Sequence, residues 1–80
     1  MRQFSVAMRG YSRREVDELF ARIDATLRYA TATVTPVTSA EARSATFRTT
    51  MRGYAFRDVD AALREAVREL EEHEHGPGTP

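Results

Sequence analysis

The chain has no cysteine, no lysine, no tryptophan and no net charge. Without cysteine there are no disulfide staples, no thiolate metal sites and no thiol redox chemistry. Twelve basic residues against twelve acidic ones leave a whole-molecule field that points to no class of partner. No apolar run approaches the length of a membrane span or of a secretion-signal core, so the sequence predicts a cytoplasmic protein. At 80 residues there is no room for a second independent core. So limited a core also makes self-association the expectation, as a homodimer.

What the sequence does contain is an internal repeat. Phe4-Ser-Val-Ala-Met8-Arg9-Gly10-Tyr11 lies over Phe47-Arg-Thr-Thr-Met51-Arg52-Gly53-Tyr54 at a constant offset of 43 residues. Between Phe4 and Leu27, 9 of 24 positions are identical in the second copy, and six of those fall in Met-Arg-Gly-Tyr and the following Val-Asp. Self-similarity of this kind is an architectural signal. It divides the chain into repeats at 4–31 and 37–74 within one domain, 1–75, with a disordered tail at 76–80.

Each copy leads into a helix-like stretch. Val16, Leu19, Phe20, Ile23 and Leu27 recur at three- and four-residue spacing, as do Val59, Ala62, Leu63, Ala66, Val67 and Leu70. Ser12 and Glu15 have the spacing of a capping box, with Tyr11 and Val16 as a hydrophobic staple across it. In the second copy Tyr54 and Val59 repeat the staple, but Ala55 cannot cap. The first helix is expected to fade at Thr31, ahead of Pro36. Thr38 and Glu41 form a second capping box opening a short helix near 39–44, and the last helix runs to about His75. Gly10 and Gly53, just before the helix starts, read as turn positions needing positive φ. The predicted fold class is therefore all-α: two amphipathic helices, each preceded by a glycine-containing basic turn, with a short helix between them.

Charge is segregated along the chain. Residues 1–14 carry Arg2, Arg9, Arg13 and Arg14 and no acid, and residues 42–57 carry Arg43, Arg48, Arg52 and Arg57 and no acid. The intervening and final stretches are acidic. Arginines at a helix start oppose the macrodipole, and a local misfit of that kind points to binding. Intrahelical pairing accounts for Arg14 with Asp17 or Glu18, for Arg57 with Asp60, and for Glu18–Arg22 and Asp24–Arg28, but leaves Arg9 and Arg52 unassigned.

The pattern F-x-x-x-[apolar]-R-G-Y, a capping position and then V-D resembles the N-terminal domain of the DivIVA family, bacterial coiled-coil proteins that gather at negatively curved membrane. Val37–Phe47 is similar to that family's short leading helix. The resemblance covers about residues 4–30 and 37–70, and it is strong because it is doubled. It implies a parallel helix pair whose crossed loops expose an apolar residue and an arginine. Two tandem copies would form within one chain the pair that two chains form in the family, and this is favoured over an antiparallel hairpin. Here the exposed positions correspond to Met8 with Arg9 and Met51 with Arg52. Methionine in place of an aromatic wedge is a departure from the family. The family's long downstream coiled coil is missing from this sequence.

The expected binding residues, for membrane or for a division partner, are therefore Met8, Arg9, Arg13, Arg48, Met51 and Arg52. Gly10, Tyr11, Ser12, Glu15, Gly53 and Tyr54 are assigned to shaping the turns and starting the helices. Phe4 and Phe47 are assigned to the core. His73 and His75, two apart on a helix, point to opposite sides and read as a polar terminus rather than a metal site. No nucleophile, base and acid constellation is apparent, so neither an enzyme nor a cofactor is expected. Nucleic-acid binding is disfavoured by the acidic stems and the lack of an aromatic stacking platform. A soluble helical adaptor is the competing function.

Overall fold

The computed structural model describes residues 4–75. Arg2, one of the expected basic-turn residues, and the expected 76–80 tail lie outside the described residues. The element order is β1 (Val6–Tyr11), α1 (Arg13–Leu27), α2 (Ser39–Arg43), β2 (Thr49–Met51) and α3 (Phe56–His75).

The two basic turns are not turns preceding helices in an all-α fold. The first lies within a strand and the second runs out of one: β1 and β2 pair antiparallel, with Arg9 opposite Met51, Gly10 opposite Thr50 and Tyr11 opposite Thr49. The protein is thus mixed α/β, and the all-α expectation is corrected. The physical reason is backbone satisfaction. Each Met-Arg-Gly-Tyr segment carries a row of amide and carbonyl groups that must find partners. The repeat supplies a second copy of the same row. Beyond the ladder, Ala7 N–H donates to the Gly53 carbonyl at 2.8 Å and Arg52 N–H to the Met8 carbonyl at 2.8 Å. Ala55 N–H donates to the Ser5 carbonyl and Ser12 N–H to the Arg48 carbonyl, at 2.8 and 2.7 Å. These last two bonds are the same bond in each copy, related by the 43-residue offset.

At the centre of the crossing the chains touch backbone to backbone. A Cβ on Gly10 would lie 2.1 Å from the Tyr54 carbonyl oxygen, and one on Gly53 would lie 2.4 Å from that of Tyr11. Glycine is required for close approach, not for torsion. The positive φ expected at Gly10 and Gly53 falls instead on Arg52 (55°) and Tyr29 (57°).

α1 and α3 leave this crossing side by side and in the same direction. Near their starts the Tyr11 hydroxyl reaches Asp60 on α3 and the Tyr54 hydroxyl reaches Asp17 on α1. At their far ends the rings of Tyr29 and His73 meet, centroids 4.6 Å apart. The core between and beside them is Val16, Phe20, Ile23, Val59, Ala66 and Leu70. Phe4 and Phe47 are half-buried against it. Phe4 lies on Phe20 and on Tyr54, and Phe47 on Tyr11, so each phenylalanine packs on the other copy's tyrosine.

α1 stops at Leu27, short of the expected Thr31. Its last turn is closed by Tyr29 N–H on the Thr26 carbonyl and Ala30 N–H on the Ala25 carbonyl, a Schellman arrangement with Tyr29 in the left-handed position. The segment entering α2 and α2 itself then seat Val37 and Ala42 in the core, and Leu70 is fully buried. Among the described residues no helix is long and apolar enough to cross a membrane.

Candidate functional site

The sheet closes one end of the helix pair and carries Met8, Arg9 and Met51, with Arg52 just after β2 and Arg13 opening α1. Met8 and Met51 are 80% and 75% exposed, with Val6 next to them at 53%. Apolar side chains in a small core-limited domain are normally hidden, so an exposed cluster of them is the informative observation. Met8, Arg9, Thr49, Thr50 and Met51 line a shallow cavity of about 440 Å³ on this surface.

The arginines there divide into two groups. Arg9, Arg13 and Arg52 are exposed, and among the described residues no carboxylate pairs with them. Arg48 is committed elsewhere: its guanidinium lies 3.6 Å from Glu15, whose carboxylate also accepts from Arg48 N–H at 2.8 Å. Arg52 is held in the left-handed region, a conformation that costs on the order of 1 kcal/mol in a residue with a side chain. Its equivalent, Arg9, lies in the regular strand, so the two copies present their arginines from different backbones.

Behind this surface the expected shaping residues form two matched clamps. Tyr11 O–H donates to Asp60 at 2.8 Å and Tyr54 O–H donates to Asp17 at 2.9 Å. Each bond raises the phenol above its ordinary value of 10.0, because a phenolate would face a carboxylate. Partial burial adds to the effect, and for Tyr54 the charge of Arg13 opposes it. The second clamp joins backbone to acid. Ser5 N–H donates to Asp58 at 3.0 Å, and Arg48 N–H donates to Glu15 at 2.8 Å, the same contact 43 residues on.

This second clamp corrects the first capping box. Ser12 does accept from Glu15 N–H at 3.3 Å. Glu15 does not reach back to Ser12, because its carboxylate holds Arg48, just before β2, and Ser12 N–H is taken by the Arg48 carbonyl. The box at Thr38 and Glu41 is complete in both directions.

Sequence reasoning gave Asp17 and Asp60 to arginines on their own helices and missed them as partners of the tyrosines, and missed Asp58 as the partner of Ser5 N–H, although Val-Asp stands identically placed in both copies. A polar residue repeated at the same offset from a repeated tyrosine was the available signal. It also missed the destination of Arg22. Instead of pairing with Glu18, Arg22 donates to the Thr35 and Pro36 carbonyls at 2.9 and 3.1 Å and lies 3.4 Å from Glu41. Arg14 does pair with Glu18, at 3.4 Å. Among the described residues no group of three His, Asp or Glu side chains is placed to hold a metal.

Chemically, the sheet end and the start of α1 expose two thioethers and three guanidinium groups that pair with no carboxylate among the described residues, while Asp17, Asp60, Asp58 and Glu15 are bonded to the opposite repeat. No family model, curated protein or solved structure matches the chain.

Proposed function

We propose that this protein is a non-catalytic module that binds an anionic membrane surface from the cytoplasmic side through the outer face of its two-stranded sheet. The observation that carries the reading is the exposure of Met8 and Met51 beside Arg9 and Arg52, whose side chains neither enter the core nor pair with a carboxylate among the described residues. The resemblance of both Met-Arg-Gly-Tyr segments to the DivIVA N-terminal domain supports the same reading. The arginines meet lipid phosphates, and the methionines enter the headgroup region.

Magnitudes make the binding chiefly electrostatic. An arginine near an anionic leaflet contributes about 1 kcal/mol. A partly buried methionine adds about 1–2 kcal/mol. Affinity then falls in the millimolar to micromolar range and collapses in high salt, where the Debye length shrinks to about 3 Å at 1 M.

Co-sedimentation with anionic and neutral vesicles at low and high salt tests this. Recovery with anionic vesicles in low salt alone is expected, and Arg9→Glu with Arg52→Glu abolishes it while far-UV circular dichroism is unchanged. Equal recovery with both vesicle types irrespective of salt, or recovery with neither, refutes the reading.

A second reading, an adaptor for another protein, is favoured by a different surface. Ala42, Ala45, Leu63 and Val67 line an apolar cavity of about 520 Å³ between α2 and α3, rimmed by Arg43, Arg64 and Asp60. Leu63→Glu would disrupt that partner and leave vesicle binding intact.

A further inference from the structure

We propose that Met8 and Met51 are an oxidation-sensitive modification site, and that their conversion to sulfoxides releases the tip from lipid. The proposal rests on the membrane reading above.

The sulfur inventory of the chain makes the site selective. The protein has three methionines and no cysteine, so no thiol competes for an oxidant. Both described methionines lie on the tip at 80% and 75% exposure, and neither belongs to the core. Susceptibility to oxidation follows exposure. A peroxide in solution therefore reaches these thioethers without any opening of the fold.

The step is a two-electron oxygen transfer. A sulfur lone pair attacks one peroxide oxygen, the O–O bond breaks, a sulfur–oxygen bond forms and, after proton transfer, water leaves. Sulfur is oxidised and the peroxide is reduced. The product is a polar, chiral side chain where an apolar one stood, and thiol-dependent sulfoxide reductases reverse it, one enzyme for each epimer. The three free arginines are untouched, so oxidation removes the apolar part of the tip's affinity and leaves the electrostatic part. An aromatic wedge at the same positions would not respond in this way. The methionines that depart from the family pattern would thereby add a response that the aromatic residue lacks.

The experiment treats the full chain with hydrogen peroxide, maps sulfoxides by peptide mass spectrometry, and measures co-sedimentation with anionic vesicles before and after. Sulfoxides at Met8 and Met51 are expected to weaken binding by roughly tenfold or more. The thermal midpoint should be unchanged, and reductase treatment should restore binding. Met8→Leu with Met51→Leu should bind vesicles equally before and after peroxide treatment, whatever its own starting affinity. Equal binding by oxidised and untreated protein overturns this proposal and leaves the membrane reading intact. Peroxide sensitivity that persists in the double leucine variant also overturns it. Untreated protein that fails to bind removes the membrane reading and this proposal together.

Discussion

Gly10 and Gly53 set the tightest constraint in the molecule, because each lies where the other repeat's backbone passes. The atoms a methyl group would meet are carbonyl oxygens and carbons of the main chain, which cannot rotate away as a flexible side chain does. Gly10→Ala or Gly53→Ala is therefore expected to cost about 3 kcal/mol, read as a lower urea midpoint. Met8→Ala, on the exposed surface nearby, should stay within about 0.5 kcal/mol of the parent. The tyrosine clamps give a second residue-scale prediction, in pH. Because Tyr11 and Tyr54 hold their protons more tightly folded than unfolded, their contribution is complete below pH 10.0 and is lost as pH rises through the raised folded values. A thermal-midpoint series should fall in that alkaline window, and Tyr11→Phe with Tyr54→Phe should flatten the fall. Glu74 works in the opposite direction. Ser39 N–H and Ser39 O–H both donate to it at 2.7 Å, lowering its pKa, so its contribution is present above 4.5 and is lost as pH falls through the depressed value.

At five residues, α2 is too short to persist without tertiary contacts. It is held by its complete capping box, by Ser39 on Glu74, by the Arg43–Glu71 pair and by burial of Val37 and Ala42. Its approach to α1 depends on Thr26, whose hydroxyl donates to the Arg22 carbonyl at 2.8 Å and accepts from Val37 N–H at 3.0 Å. Thr26→Val keeps the shape and strands the buried Val37 amide, so a loss of about 1–3 kcal/mol is expected in urea unfolding. Ala55→Ser should act the other way. It copies Ser12 onto the start of α3, where no side chain caps the helix, and should raise stability by about 0.5–1 kcal/mol. The capping signals at Ser12 and Thr38 were legible because they are local: side chain and backbone partner lie three residues apart. The strands were not legible. Met-Arg-Gly-Tyr has too little period-2 alternation to announce a strand, and its ladder partners lie about forty residues away. Glu15 was misassigned for the same reason, since its acceptor sites are claimed by the Arg48 backbone, a contact that exists only once the repeats have crossed.

Taken whole, the molecule separates its charges along the helix pair, with free arginines on the sheet and Glu65, Glu69, Glu71, Glu72 and Glu74 in the later turns of α3. An anionic surface would attract the first end and repel the second, orienting the approach tip first. That polarity depends on both repeats sharing one crossing, and the crossing is reciprocal. Tyr11 and Ser5 of the first repeat are held by Asp60 and Asp58 of the second, while Tyr54 and Arg48 of the second are held by Asp17 and Glu15 of the first. Each strand also finds its ladder only in the other copy. The first repeat alone therefore has an amphipathic helix with no partner, and a helix of 15 residues is marginal alone in water. The consequence is testable by dividing the chain in the exposed connection after α1, between Val34 and Thr35. Fragments 1–34 and 35–80 should each show weak helical circular dichroism, the second retaining only what α2 lends α3. Mixed at equal concentration, they should regain the ellipticity of the intact protein with a 1:1 stoichiometry. Gly53→Ala in the second fragment should block that recovery, because the crossing cannot close. A spectrum of the mixture that merely adds those of its parts would mean that the repeats fold separately and that the shared tip is not a cooperative unit.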